Sequence, residues 1–170
     1  MSLPAPLAPA TAPDAVPRDR IDRVVLEGES LTRLSPIQEA DRAQATADLA
    51  AESRFSLADY PGPYSLHLSI QEGRLVFDVR SLDEQPLQAV ALALGPFRGV
   101  LKDYQMLVDS HILAMQEGRE ARIQAIDMGR RGLHNEGATL MVERLTGKAI
   151  IDFETARRLF TLVCVLHQRI

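Results

Sequence analysis

Six side chains able to do chemistry fall within ten positions: Asp127, Arg130, Arg131, His134, Asn135 and Glu136, with Gly129, Gly132 and Gly137 among them. Two arginines beside glycines suit a phosphate or carboxylate, because each guanidinium forks onto two oxygens and backbone N–H groups at a helix start add to the hold. Arg157, Arg158 and Lys102 are further ligand-binding candidates. In that reading His134 serves as acid or base, and Asp127 or Glu136 orients it. The same residues also fit a structural role. Asp127 and Glu136 would pair with Arg130, Arg131, Arg157 or Arg158, Asn135 would cap a helix, and the glycines would serve turns at a helix–turn–helix junction.

Other chemistries are poorly supported by the spacing. His134 and Glu136 are two apart, which on a helix points them to different faces. Neither a His-Glu-x-x-His pair nor a Cys-x-x-Cys is present, so no metal site is expected. Cys164 lies three positions before His167, but inside the apolar run Leu159–Leu166, which favours a buried structural thiol over a nucleophile. No Walker-type loop, no Gly-x-Ser-x-Gly elbow and no dinucleotide fingerprint occurs, and no cofactor is implied. A DNA-reading helix over Leu133–Thr146 would offer only Asn135 and Arg144 beyond its start.

These residues need elements to hold them. Arg20–Glu27 has the β-branched character of a strand and ends at Gly28. Ser35-Pro36-Ile37-Gln38 predicts a capped helix start, with alanine-rich helix through Ala40–Glu52 lying on the surface of the core. Tyr64–Gln71 and Arg74–Arg80 alternate with period two about Glu72-Gly73, which predicts a hairpin, with His67 on its solvated face. A third strand follows at Leu87–Leu94. After Gly95-Pro96 the period changes. Phe97, Val100, Leu101, Tyr104, Leu107, Val108, His111, Ile112 and Met115 recur at three and four, which predicts a helix to about Glu117 stopped by Gly118. Helical segments are expected at Arg119–Met128 and Ala138–Thr146, interrupted by Gly129 and Gly132. A last helix, Phe153–Gln168, would be capped by Asp152 and bury Phe153, Ala156, Leu159, Phe160, Val163 and Leu166. Strands followed by helices imply an α+β fold, with a small, mostly antiparallel sheet from the N-terminal half against a helical layer from the C-terminal half.

The bulk properties set outer limits. The length of 170 residues suits one domain over 20–170, preceded by a disordered Pro/Ala-rich arm at 1–19. The net charge of −4 argues against nucleic acid. Charge is uneven, however: residues 1–95 carry 8 basic and 14 acidic groups, and residues 96–170 carry 11 and 9. The positive half is thus the half holding the arginines. One cysteine, no apolar run of spanning length and no secretory leader point to a cytoplasmic protein without membrane attachment.

The run Ile126-Asp127-Met128-Gly129-Arg130-Arg131-Gly132-Leu133-His134-Asn135-Glu136-Gly137 resembles a signature of an uncharacterised bacterial protein family. Gly62-Pro63-Tyr64, Lys102-Asp103-Tyr104 and Thr155-Ala156-Arg157-Arg158-Leu159-Phe160-Thr161-Leu162 resemble it too. The resemblance spans roughly Arg20 to His167. It implies a bacterial, soluble, single-domain protein and supplies no mechanism. Two functions follow as expectations. The first is action through a protein partner or as a homodimer, resting on the amphipathic helices. The second is binding or turnover of a small anionic ligand at 126–137.

Overall fold

The computed structural model describes residues 18–28 and 33–167. All of the expected N-terminal arm except Arg18 and Asp19 lies outside these residues, as does Gln168 at the end of the last helix. The fold is α+β, with a sheet from the N-terminal half and helices dominating the C-terminal half. In chain order the elements are β1 (Ile21–Glu27), α1 (Pro36–Ala51), β2 (Phe55–Ser56), β3 (Tyr64–Gln71), β4 (Arg74–Arg80), β5 (Pro86–Ala93), α2 (Arg98–Glu117), α3 (Glu120–Leu145), β6 (Ile150–Ile151) and α4 (Phe153–Leu166).

The main sheet has the order β1-β3-β4-β5. The β3–β4 and β4–β5 pairs are antiparallel, and β1–β3 is parallel. Parallel neighbours need a crossover, and here α1 supplies it. The β3–β4 hairpin turns at Glu72 and Gly73, both at positive φ (51° and 74°), as a tight two-residue turn requires. Alternation then sends Leu66, Leu68, Leu75, Phe77, Val79, Val90 and Leu92 into the core. A second, two-stranded sheet joins β2 to β6 antiparallel and ties the segment after α1 to the entry of α4.

α1 begins as its sequence predicts. The Ser35 hydroxyl accepts from the Gln38 N–H, and the Gln38 side-chain carbonyl accepts from the Ser35 N–H. Its buried stripe is not made mainly of the alanines that dominate the helix. Ile37, Asp41, Ala45 and Leu49 are buried at a spacing of four, while Ala40, Ala43, Ala47 and Ala50 are exposed. This follows because α1 packs on β1 and α4 and not on the rim. α4, capped by Asp152 accepting from the Thr155 N–H at 2.9 Å, is buried on nearly every side between α1, α3 and the sheet. Phe153, expected to be buried, is 43% exposed at the first position of the helix, before the chain enters the core. Cys164 is fully buried there, and burial pushes its thiol pKa up.

The largest departure from expectation is α3. It runs unbroken for 26 residues through Gly129, Gly132 and Gly137. A mid-helix glycine costs about 1 kcal/mol relative to alanine, which contacts with α2 on one flank and α4 on the other offset. Gly137 has a packing role. A Cβ at that position would drive into the Phe160 ring, so the bare backbone lets α3 and α4 approach closely. Where a break does occur it is at Gly118, the left-handed residue (φ 66°) that closes α2 and lets α3 fold back.

His67 also departs from expectation. It sits on the outer sheet face but is only 8% exposed. Glu27 and Glu84 fold over it, with Nδ1 2.8 Å from Glu27 Oε1 and Nε2 2.7 Å from Glu84 Oε2. Arg23 pairs with the same Glu84, and the Ser65 hydroxyl donates to it at 2.8 Å. Arg80 reaches Glu84 at 3.2 Å. Together these contacts hold the Glu84 carboxyl at about 2, well below the ordinary value, through the Ser65 hydrogen bond first and then His67 and Arg23. Among the described residues no helix is long and apolar enough to cross a membrane.

Candidate functional site

Continuous helix through 126–137 decides where the dense stretch points. Positions 127, 130, 131 and 134 share one side of α3 by their spacing of three and four. There α3 faces α1 and α4, and a cleft of about 160 Å³ opens between the three helices. Arg130, Arg131 and His134 line it from α3, Arg157, Arg158 and Thr161 from α4, and Asp41, Gln44, Ala45 and Asp48 from α1. Four of the five expected ligand-binding residues thus meet in one place. The fifth, Lys102, is exposed on α2 and lies outside the lining, as does the exposed Glu136. Asp127 stands at the edge, where its carboxylate takes Arg130 Nη2 and reaches Arg131 at 3.4 Å.

The centre of the cleft is Asp41, 5% exposed. The Tyr104 hydroxyl donates to its Oδ2 at 2.8 Å, and Arg130 donates through Nη1 to its Oδ1. Burial pushes the Asp41 carboxyl upward, and the Tyr104 hydrogen bond and Arg130 pull against that. Burial likewise opposes the charge on Arg130, but Asp41 and Asp127 outweigh it and its pKa rises. Burial first, then the Asp41 charge, raises the Tyr104 hydroxyl. The trio therefore acts as an interior polar brace, with the guanidinium charged and committed to two carboxylates.

His134 lies against this brace. Its ring is 5.6 Å from that of Tyr104 and 6.5 Å from that of Phe160, centroid to centroid. Nε2 is buried with no hydrogen-bond partner, and its nearest carboxylate oxygen, Asp41 Oδ2, is 4.0 Å away. Burial, then the charges of Arg130 and Arg157, lower its pKa to about 4, so the imidazole is neutral at physiological pH.

The remaining arginines are held less firmly. Arg157 meets Glu154 at 3.1 Å in an exposed pair one turn away, of a kind worth little in water. Arg158 donates to the Glu52 carbonyl at 2.7 Å, while its Nε is buried without a hydrogen-bond partner, 3.9 Å from Asp48 Oδ2, and its Nη2 lies 3.9 Å from Glu52 Oε2. The Arg131 side chain is 72% exposed. Four arginines thus share the lining with the carboxylates of Asp41 and Asp48, while Asp127, Glu154 and Glu52 pair with them from outside it. Among the described residues no group of three or more His, Cys, Asp or Glu side chains is arranged to hold a metal ion.

Sequence reasoning missed Asp41 and gave Tyr104 no part in the site. A signal for Asp41 existed: Ile37, Asp41, Ala45 and Leu49 form a stripe with one carboxylate in its middle. A charge at an apolar position implies a buried partner. The Arg130 that answers it lies 89 positions away.

Comparison with known proteins agrees with the resemblance drawn from the sequence. The family described as "Uncharacterised protein family (UPF0262)" matches residues 18–169. A UPF0262 protein of Granulibacter bethesdensis is 66% identical over 94% of this chain and 96% of its own length. One from Acidiphilium cryptum is 62% identical over 89% of this chain and 94% of its own length, and one from Rhodospirillum rubrum is 46% identical over the same shares. No solved structure matches. With the family match covering almost the whole chain, the protein belongs to the UPF0262 family.

Proposed function

We propose that this protein binds a small anion, a phosphate or carboxylate, in the cleft between α1, α3 and α4. The observation that carries the reading is the convergence of four arginines on one cleft. Arg130 is consumed by the interior brace, but Arg131, Arg157 and Arg158 line the same concavity in ion pairs that are solvent-exposed or long, with Asp127 at 3.4 Å, Glu154 at 3.1 Å, and Asp48 and Glu52 at 3.9 Å each. An anion seated among them would gain forked, charge-assisted hydrogen bonds in a partly desolvated setting. It would also offset the positive field that disfavours a proton on His134. Arg130, Asp41 and Tyr104 position the site, and Arg131, Arg157 and Arg158 contact the ligand.

Thermal denaturation in phosphate, against chloride at matched ionic strength, tests this. A ligand at ten times its Kd stabilises by about 1.4 kcal/mol, a shift of a few degrees. The shift should be present in the wild type and absent in Arg131→Ala, whose side chain is exposed, and in Arg157→Ala, whose half-buried side chain pairs with the exposed Glu154. If no member of a panel of phosphates and carboxylates moves the wild-type midpoint, the reading is wrong.

A second reading, a homodimer or other protein partner, keeps one observation in its favour. The α2–α3 hairpin leaves Met106 53%, Leu113 50%, Met115 55% and Met128 74% exposed, and exposed apolar side chains favour association. Light scattering on the eluting peak would show a dimer mass that Leu113→Glu reduces to the monomer; a monomer throughout the micromolar range counts against it. The buried lone thiol suits the reducing cytoplasm as the place of action.

A further inference from the structure

The arginine cleft does not end at Arg130. A second cavity, of about 540 Å³, begins on the other side of that residue and is lined mainly by apolar groups, among them Ile37, Ala40, Met115, Ile123 and Met128. Arg130 lines both. The lining residues advance together along two helices, from Ile37 to Asp48 on α1 and from Ile123 to His134 on α3. The cavities therefore adjoin at Arg130 and follow one another along the same two helices as a crevice, the first stretch mostly apolar and the second cationic. Eleven residues of helix give it a length of about 16 Å.

We propose that the ligand is amphiphilic: an anion carrying an aliphatic chain, with its phosphate or carboxylate among Arg131, Arg157 and Arg158 and its chain in the groove between Ile37 and Met128. This rests on the anion-binding reading and adds the chemistry of the rest of the molecule. Charge complementarity fixes the polarity of the occupant, because Arg131, Arg157 and Arg158 all lie in one stretch, while the other pairs its share of Arg130 with the Asp127 carboxylate. Methionine suits the other end, since its flexible side chain packs against chains of varied shape. The protein's net charge of −4 disfavours an anionic bilayer, so the occupant is a free amphiphile and not a lipid in a membrane.

Isothermal titration with inorganic phosphate, butyl phosphate and octyl phosphate, below micelle-forming concentrations, tests the proposal. Burying one methylene is worth about a fourfold gain in affinity, so octyl phosphate should bind at least tenfold tighter than inorganic phosphate. Met115→Gln and Met128→Gln, both at exposed positions, should remove that gain and leave phosphate affinity unchanged. Arg157→Ala should weaken both ligands, and octanol should bind far more weakly than octyl phosphate. Equal affinity for phosphate and octyl phosphate overturns the amphiphile and leaves the anion site standing. Failure of phosphate and octyl phosphate alike overturns both. Octanol matching octyl phosphate, co-sedimentation with anionic phospholipid vesicles, or loss of a dimer in the methionine variants without loss of chain-dependent affinity would each assign the groove to a different occupant and overturn the proposal.

Discussion

His134 shows how one side chain ties the cleft to solution conditions. Its folded pKa of about 4 lies below its ordinary value of 6.5. Between those values the unfolded chain takes up a proton that the folded chain refuses, so stability is full above pH 6.5 and declines as pH falls toward 4. At ~1.4 kcal/mol per unit the loss approaches roughly 3 kcal/mol at the acid end. Urea unfolding at about pH 7.5 and about pH 4.5 measures it, and His134→Asn should flatten the difference. Asp41 and Arg130 make a harsher pair. Removing the guanidinium with Arg130→Ala leaves a buried carboxylate held by Tyr104 alone, and should cost about 3–5 kcal/mol in the same assay. Conversely, a bound anion should raise the His134 pKa, which an NMR titration with and without phosphate would follow at a single ring.

At the scale of elements, α3 makes the sharpest test because its three glycines have different surroundings. Nothing lies within 4 Å of a Cβ added at Gly132, and at Gly129 it would only touch Leu107 at 3.7 Å. Alanine at either position should stabilise the protein by up to about 1 kcal/mol, since helix propensity is the term that changes. Alanine at Gly137 should destabilise it by about 1–3 kcal/mol through the clash with Phe160. Midpoints from chemical denaturation would separate the three. The same helix shows where sequence reading ran short. Caps and turns are local, and Ser35, Glu72-Gly73, Gly118 and Asp152 were all legible from a few neighbouring residues. Whether a glycine ends a helix is settled by what packs on its flanks. For α3 the partners are α2 and α4, a property of the assembled layer. The arginines of the site could be singled out because they cluster in two short runs. Asp41 could not be joined to them, because the contact spans 89 positions.

Across the whole molecule, two charged centres sit on opposite sides of one core. The helical layer carries the arginine cleft. The outer sheet face carries His67 and Glu84, which join β1 through Arg23 and Glu27, β3 through Ser65, and β4 through Arg80. Glu84, lowered to about 2 from 4.5, contributes stability that is present above pH 4.5 and lost as pH falls toward 2. Glu84→Gln should therefore make acid unfolding shallower in that window, with little change in the window where His134 titrates; circular dichroism across both would show it. The sealed sulfur of α4 gives the molecule its own gauge of such events. Cys164 is the chain's single thiol and is fully buried, so an alkylating reagent can reach it only when the helical layer opens. When opening is fast relative to alkylation, the alkylation rate reads out the free energy of opening, slowing tenfold for each 1.4 kcal/mol by which a ligand in the adjoining cleft holds the layer shut.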